Sequence, residues 1–124
     1  MSLDLRVRHV GQVAVVELHG DLDSRTALGL PGRLDALLPT GGAAVLDLTC
    51  LPYLSSGGLR GLLLAHRLAE QRLTRVVLAG LAAGPRSVLA VAGFMAFLDV
   101  AESVGDGLAR LCVPDPDTAV EEPL

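Results

Sequence analysis

The chain has 124 residues, of which 51% are hydrophobic, 2% aromatic and 19% charged, and its formal net charge is −4. This length suits one domain with a self-sufficient core, and the apolar content excludes disorder for most of the chain. The acidic balance argues against nucleic acid as a partner. No apolar run reaches the ~20 residues of a membrane span and no signal-peptide pattern opens the chain, so we expect a cytoplasmic protein without membrane insertion.

The sequence offers no pattern typical of a metal or cofactor site. Cys50 and Cys112 lack CxxC spacing, and no histidine lies near either of them in the sequence. A disulfide scaffold is not expected in a chain this apolar. The HExxH, GxGxxG and GxxxxGK[ST] motifs are also missing. We therefore expect neither a cofactor nor a bound metal.

The first forty residues predict a hairpin followed by an irregular helix. Residues 5–10 and 13–20 alternate like half-buried strands, and the two residues between them, Gly11 and Gln12, suit a tight turn. Residues 21–24 then predict a loop with helix-capping side chains. Because proline is tolerated only in the first turn of a helix, Pro31 places the regular helix near Leu30, after an irregular turn. Its apolar residues at helical spacing are Leu30, Leu34, Leu37 and Leu38.

The rest of the chain alternates apolar runs with helical patterns. Strands are predicted at 43–48, 75–80 and 97–100, and helices at 57–72, 84–92 and 105–111, with a loop at 49–56. Such alternation indicates crossover connections and a mainly parallel sheet. The predicted fold class is α/β, with a mainly parallel sheet of about five strands, an N-terminal β-hairpin and about four helices.

Two adjacent serines, Ser55 and Ser56, are the most informative polar residues. They follow a buried strand and precede the long predicted helix, whose N-terminus offers free N–H donors and a partial positive charge. One interpretation is that either serine only caps the helix. A serine hydrolase is a further interpretation, and it requires one of the three histidines (His9, His19 or His66) beside Ser56.

Asp21 and Asp23 alternate in the predicted loop. Paired carboxylates can be catalytic, but aspartates in loops more often cap helices or hold turns. We therefore favour a structural role for both residues, with a catalytic role as the alternative.

The long helix has two distinct faces. One face is assigned to the core and carries Leu59, Leu62, Ala65, His66, Ala69 and Leu73, with His66 expected to be partly buried and not a ligand. The other face points outward and carries Arg60, Leu64, Arg67 and Gln71. Arginine beside leucine on an exposed stripe suits a protein–protein contact. The alternative is an ordinary solvated face with one exposed leucine.

Several segments together resemble the STAS domain (sulfate transporter and anti-sigma-factor antagonist), and in particular the small bacterial anti-sigma-factor antagonists. The resemblance runs from about residue 5 to residue 111 and implies a single STAS-like domain over residues 1–113. We expect the acidic, proline-containing tail, residues 114–124, to be disordered. The matching residues are Gly20-Asp21-Leu22-Asp23 with Thr26-Ala27 (G-[DE]-L-D-x-x-T-A), Asp47-Leu48 with Tyr53, Ser56 and Gly58-Leu59 (D-L-x-x-x-x-[FY]-[IM]-D-S-[ST]-G-L), Gly80-Leu81 and Gly93-Phe94.

In that family the serine after the motif's aspartate is phosphorylated by a partner anti-sigma factor, which is a serine kinase. The resemblance implies phosphorylation at Ser56, or at Ser55 if the loop is shifted by one residue. Two residues depart from the family pattern: Ser55 stands where the family has aspartate, and Gly57 where it has serine or threonine. Binding of the partner without a phosphorylation switch is therefore kept as an alternative.

The function implied by the resemblance is that of a cytoplasmic anti-sigma-factor antagonist that acts by partner switching and is not an enzyme. The resemblance also implies a partner-binding surface, and it leaves open the formation of a weak homodimer. The alternative is a non-phosphorylated STAS scaffold subunit of a larger complex, such as a stressosome-like or lipid-transport assembly. The residues assigned to the partner-binding surface are Asp21, Asp23, Ser55, Gly57, Gly58, Arg60, Leu64 and Arg67.

Overall fold

The computed structural model describes residues 3–111, so the expectations for residues 114–124 and for Cys112 lie outside the described part. Within it, no helix combines the length and apolar character needed to cross a bilayer. The strands are β1 (Leu3–Val10), β2 (Val13–Leu22), β3 (Ala43–Asp47), β4 (Tyr53–Leu54), β5 (Arg75–Ala79) and β6 (Val100–Ala101). The helices are α1 (Leu30–Asp35), α2 (Ser56–Gln71), α3 (Ala83–Val91) and α4 (Val104–Arg110), and a 3-10 turn (Thr26–Gly29) precedes α1.

The sheet confirms the predicted α/β fold class. Its strand order is β1-β2-β3-β5-β6, with β1 and β2 antiparallel and the remaining neighbours parallel. The hairpin register pairs Val10 with Val13 across the tight turn. The short strand β4 lies off this path and pairs in parallel with the end of β2, so the sheet has six strands.

Helices cover both faces of the sheet, which explains why its central strands are almost continuously apolar. Successive side chains of a strand point to opposite faces. On β2, Val16 therefore belongs to the larger core, which also contains buried residues of α1, α2 and α3, while Val15 belongs to the smaller core beneath Leu108 of α4. This arrangement leaves the start of α2 near the C-terminal ends of the parallel strands, at the edge where β2 and β4 meet.

The N-terminal elements differ from prediction in two places. Asp21 and Leu22 continue β2 instead of forming a loop, because Tyr53 and Leu54 supply a parallel partner for them. Strand β4 itself was not predicted, since two residues are too few to show a period. Helix α1 ends at Asp35, earlier than the spacing of the leucines suggests, although Leu38 is still buried.

Two apolar residues assigned to regular structure are instead exposed. Leu73, predicted on the core face of α2, lies beyond the helix in a left-handed conformation (φ 59°) and is 81% exposed. Phe97 was predicted to open the last strand, but that strand is Val100–Ala101, and the backbone N–H of Phe97 donates to the carbonyl of Phe94 in a turn. In both cases the chain turns at the apolar residue, so that the residue does not join the helix or strand that its spacing predicts.

Candidate functional site

Ser55 is the N-cap of α2. Its backbone is extended, its Oγ accepts a hydrogen bond from the backbone N–H of Gly58 at 3.0 Å, and its carbonyl accepts from Leu59 at 2.8 Å. This satisfies one of the N–H groups that a helix N-terminus otherwise leaves without a partner. The capping interpretation is therefore confirmed for Ser55, whose side chain is partly buried.

Ser56 differs from Ser55 in its exposure to solvent and in the hydrogen bonding of its hydroxyl. It is the first residue of α2 and is exposed to solvent. Its hydroxyl makes no hydrogen bond to any of the residues that the structure describes. A free hydroxyl at the positive end of a helix dipole is chemically accessible, and a negative charge added there is favoured by the dipole.

The start of α2 is held closely against the end of β2. The backbone N–H of Ser55 donates to the carbonyl of Leu22 at 3.0 Å. At Gly58, an added Cβ would lie only 2.0 Å from the Leu22 carbonyl oxygen, so only glycine fits. Gly58 is buried at this contact, and its part in binding a partner stays a prediction.

The same helix also contacts the loop that leads to the 3-10 turn. A Cβ on Gly57 would lie 2.6 Å from the Cβ of Ser24, and a Cβ on Gly61 would lie 2.6 Å from the Cβ of Ala27. The serine or threonine of the family pattern at position 57 would require these segments to move apart. The contact of Ser24 with α2 was not predicted, although glycines at helical spacing, as at Gly57 and Gly61, are a signal of close approach.

Asp23 holds the turn that follows β2. Its Oδ1 accepts hydrogen bonds from the backbone N–H groups of Arg25 at 2.9 Å and Thr26 at 3.0 Å. The hydroxyl of Thr26 in turn donates to the carbonyl of Asp21 at 2.8 Å. A turn-holding role is thus confirmed for Asp23. Asp21 lies in β2 opposite Tyr53, next to the segment that carries the two serines.

The carboxylate of Asp23 should titrate below its ordinary pKa of 3.8. The backbone N–H of Thr26 lowers this pKa most, with further lowering from Arg25. Because these hydrogen bonds favour the charged carboxylate in the folded state, they stabilise the fold at pH values above 3.8, the pKa of the unfolded chain. This stabilisation is lost as the pH falls through the pKa of Asp23 in the folded state, which is lower. NMR titration of the Asp23 carboxyl carbon measures this. A midpoint at or above 3.8 would contradict it, and Asp23→Asn should remove this part of the pH dependence.

The outer face of α2 is placed as predicted. Arg60, Leu64 and Arg67 are exposed along one stripe. The predicted core face is confirmed at four positions, which are all buried: Leu59, Leu62, Ala65 and Ala69. His66 is partly buried, as predicted, and its Nδ1 lies 3.2 Å from Glu70 Oε1.

Among residues 3–111, no histidine forms a hydrogen bond with Ser55 or Ser56. His19 Nε2 hydrogen-bonds to Glu17 Oε1 at 2.8 Å. Cys50 is an exposed free thiol. Between residues 3 and 111, no group of three or more His, Cys, Asp or Glu side chains is arranged to hold a metal ion.

Removal of the helix cap should have a measurable effect on stability. We expect Ser55→Ala to destabilise the chain by about 1 kcal/mol, because the N–H of Gly58 loses its acceptor. Ser55→Asp should have little effect, since aspartate and serine are comparable N-caps. Ser56→Ala is the matched control and should leave stability unchanged. Urea unfolding measures all three, and equal losses in the two alanine variants would contradict the assignment of the cap.

Comparisons with known proteins agree with this fold. A model of the family described as "Mlab, STAS domain" matches residues 5–99. No curated protein gives a significant match. Among solved structures, an anti-sigma factor antagonist from Mycobacterium paratuberculosis is 23% identical, with a TM-score of 0.75 over 89% of this chain and 94% of that one.

Two further structures show the same fold. RsbS from Moorella thermoacetica, solved as a serine-to-glutamate variant, is 22% identical, with a TM-score of 0.71 over 87% of this chain and 94% of its own. The Bacillus cell fate determinant SpoIIAA in its phosphorylated form is 18% identical, with a TM-score of 0.60 over 86% of this chain and 98% of its own. Since the family match alone spans most of the described residues, the chain belongs to the STAS domain family.

Proposed function

We propose that this chain is an anti-sigma-factor antagonist that binds an anti-sigma serine kinase and is controlled by phosphorylation of Ser56. The observation that carries the proposal is the division of roles between two adjacent serines. Ser55 is engaged as the cap of α2, whereas Ser56 presents a free, exposed hydroxyl at the first position of the helix. The protein would act in the cytoplasm as a binding protein and not as an enzyme.

The departure at position 55 is compatible with this function. Aspartate and serine are both strongly preferred N-caps, so Ser55 keeps the helix start where the family's aspartate would hold it. Ser55 is partly buried and its Oγ is engaged by the N–H of Gly58, so its hydroxyl is less accessible to a kinase than the exposed hydroxyl of Ser56. This favours Ser56 over Ser55 as the phosphorylated residue.

Two structural neighbours support a phosphorylation switch on this fold. SpoIIAA has been solved in both an unphosphorylated and a phosphorylated form. The RsbS neighbour carries a serine-to-glutamate substitution, which introduces a negative charge. Both share the fold of this chain, with TM-scores between 0.60 and 0.71.

The proposed switch is electrostatic. A phosphate adds about −1.5 to −2 charges at pH 7. In the free protein the N-terminus of α2 accommodates this charge, so the fold need not change. In a docked interface the same group must be desolvated and fitted against the partner. A penalty of about 3 kcal/mol would weaken binding more than a hundredfold.

The test is phosphorylation of the full chain by serine-kinase anti-sigma factors of the same organism with ATP. We expect one phosphate, detected by mass spectrometry, at Ser56. Ser56→Ala should abolish it, whereas Ser55→Asp and Ser87→Ala should retain it, the latter removing an exposed serine of α3. Phosphate at any other residue would contradict the proposed switch.

A second candidate function is supported by the comparisons. One structural neighbour is described as part of the stressosome, a signal integration and transduction hub, with 20% identity and a TM-score of 0.68. In this case the chain would be a constitutive scaffold subunit of a larger complex. Persistent binding to partners, with no mass change after incubation with kinases and ATP, would favour this function over the switch.

A further inference from the structure

A cleft of about 390 Å³ lies between the 3-10 turn and α2. Its lining is mostly apolar and comprises Ser24, Ala27, Leu28, Gly57, Arg60 and Leu64. Two of the lining residues are leucines that remain accessible to solvent: Leu28 is 86% exposed and Leu64 is 48% exposed. Large apolar side chains that flank an open cleft are typical of a surface that binds another protein.

The rim of the cleft is basic, although the chain as a whole is acidic. Arg60 lines the cleft, and Arg67 lies two turns further along the same exposed stripe of α2. Within residues 3–111 neither guanidinium forms an ion pair, and no carboxylate lines the cleft. By contrast, the arginines that do pair with carboxylates lie elsewhere on the molecule: Arg8, Arg72, Arg75, Arg86 and Arg110.

We propose that this cleft docks an acidic amphipathic helix of the partner, a proposal that rests on the function given above. An apolar side chain of that helix lies between Leu28 and Leu64, and carboxylates on either side of it pair with Arg60 and Arg67. The spacing of Arg60, Leu64 and Arg67 at i, i+4 and i+7 matches one face of an opposing helix. Charge complementarity selects an acidic partner and excludes a basic one.

This docking mode links the cleft to the switch. Ser56 lies one turn before Arg60 on α2, beside the cleft, and lines the neighbouring groove between α2 and α3. A phosphate on Ser56 competes with the partner's carboxylate for the Arg60 guanidinium and repels the remaining acidic residues. Phosphorylation thus converts the basic end of the cleft into a neutral or acidic one.

The test uses two synthetic amphipathic peptides and the full, unphosphorylated chain labelled with ¹⁵N. One peptide contains leucine, alanine and glutamate, and the control has lysine in place of every glutamate. We expect the acidic peptide to shift the amide signals of Leu28, Gly57 and Gly61, with an affinity that falls as salt is added. The basic peptide should leave these signals unchanged. Equal binding of both peptides, or no shift at these residues, would overturn the proposal.

Matched variants distinguish binding of the peptide in the cleft from non-specific binding elsewhere on the surface. Arg60→Gln and Leu64→Ser should each weaken binding of the acidic peptide about tenfold. The controls are Arg6→Gln, on the exposed strand β1, and Val91→Ser, at the exposed end of α3, and both should bind normally. No loss in the cleft variants would overturn the proposal. The peptide experiment contains no kinase. A negative result would therefore overturn the proposed docking cleft but would not bear on the phosphorylation of Ser56, which the kinase experiment tests separately.

Discussion

Replacing Gly58 by alanine should destabilise the chain by about 3 kcal/mol, at the upper end of the cost of overpacking. The added Cβ would lie 2.0 Å from the carbonyl oxygen of Leu22, and this neighbour is backbone, which cannot rotate away as a flexible side chain would. The end of β2 and the start of α2 would have to separate, with loss of the hydrogen bond between Ser55 N–H and the Leu22 carbonyl. Urea unfolding followed by circular dichroism measures the loss.

Gly32→Ala is the matched control for this prediction. Gly32 lies inside α1, and a Cβ there meets no atom within 4 Å. Because alanine is the better helix former, this variant should gain up to about 1 kcal/mol. If the two glycine variants were equally stable, the close approach of α2 to β2 would not be a requirement of the fold.

Ser56→Glu should weaken binding of the anti-sigma kinase more than a hundredfold, corresponding to the ~3 kcal/mol penalty of placing a charged group in the docked interface. The free chain should remain as stable as the native one, because the side chain is exposed and a carboxylate is favourable in the first turn of a helix. Isothermal titration calorimetry of the full chain with the kinase measures the affinity.

Two controls define the meaning of that result. Ser56→Ala should bind the kinase as the native chain does, which shows that the hydroxyl itself is not needed for docking. Gln12→Glu adds the same charge at an exposed position in the turn between β1 and β2, at the opposite end of β2 from the two serines, and should leave the affinity unchanged. Normal binding by the Ser56→Glu variant would exclude Ser56 as the control point of the interface.

Most of the fold could be predicted because its signals are long and periodic. The hairpin and the buried strands β3 and β5 follow from alternation and from continuous apolar runs, and α2 follows from sixteen residues with a clear apolar face. Short elements carried no comparable signal. Strand β4 has two residues, and its pairing with Asp21 and Leu22 depends on contacts that only the folded chain creates.

The sequence indicated that the candidate site lies at the two serines before α2. The hydrogen bonds, exposures and neighbouring residues of the site depend on tertiary contacts. The pattern of Ser55 and Ser56 before a helix indicated a cap or a modified residue, but sequence alone did not decide which serine had which role. The structure identifies Ser55 as the cap through the hydrogen bond from Gly58 and shows that Ser56 is exposed, while phosphorylation of Ser56 stays a proposal. The role of Leu28 beside α2 was not foreseen, because the 3-10 turn interrupts helical spacing there.

The glycine contacts between α2 and the loop after β2 also affect the thermodynamics of association. Gly57 and Gly61 pack so closely against Ser24 and Ala27 that no side chain fits between the helix and the loop. A surface held in this way has little conformational entropy left to lose when a partner arrives. Association should therefore approach rigid-body docking, and substitutions on this surface should act chiefly by changing the lifetime of the complex.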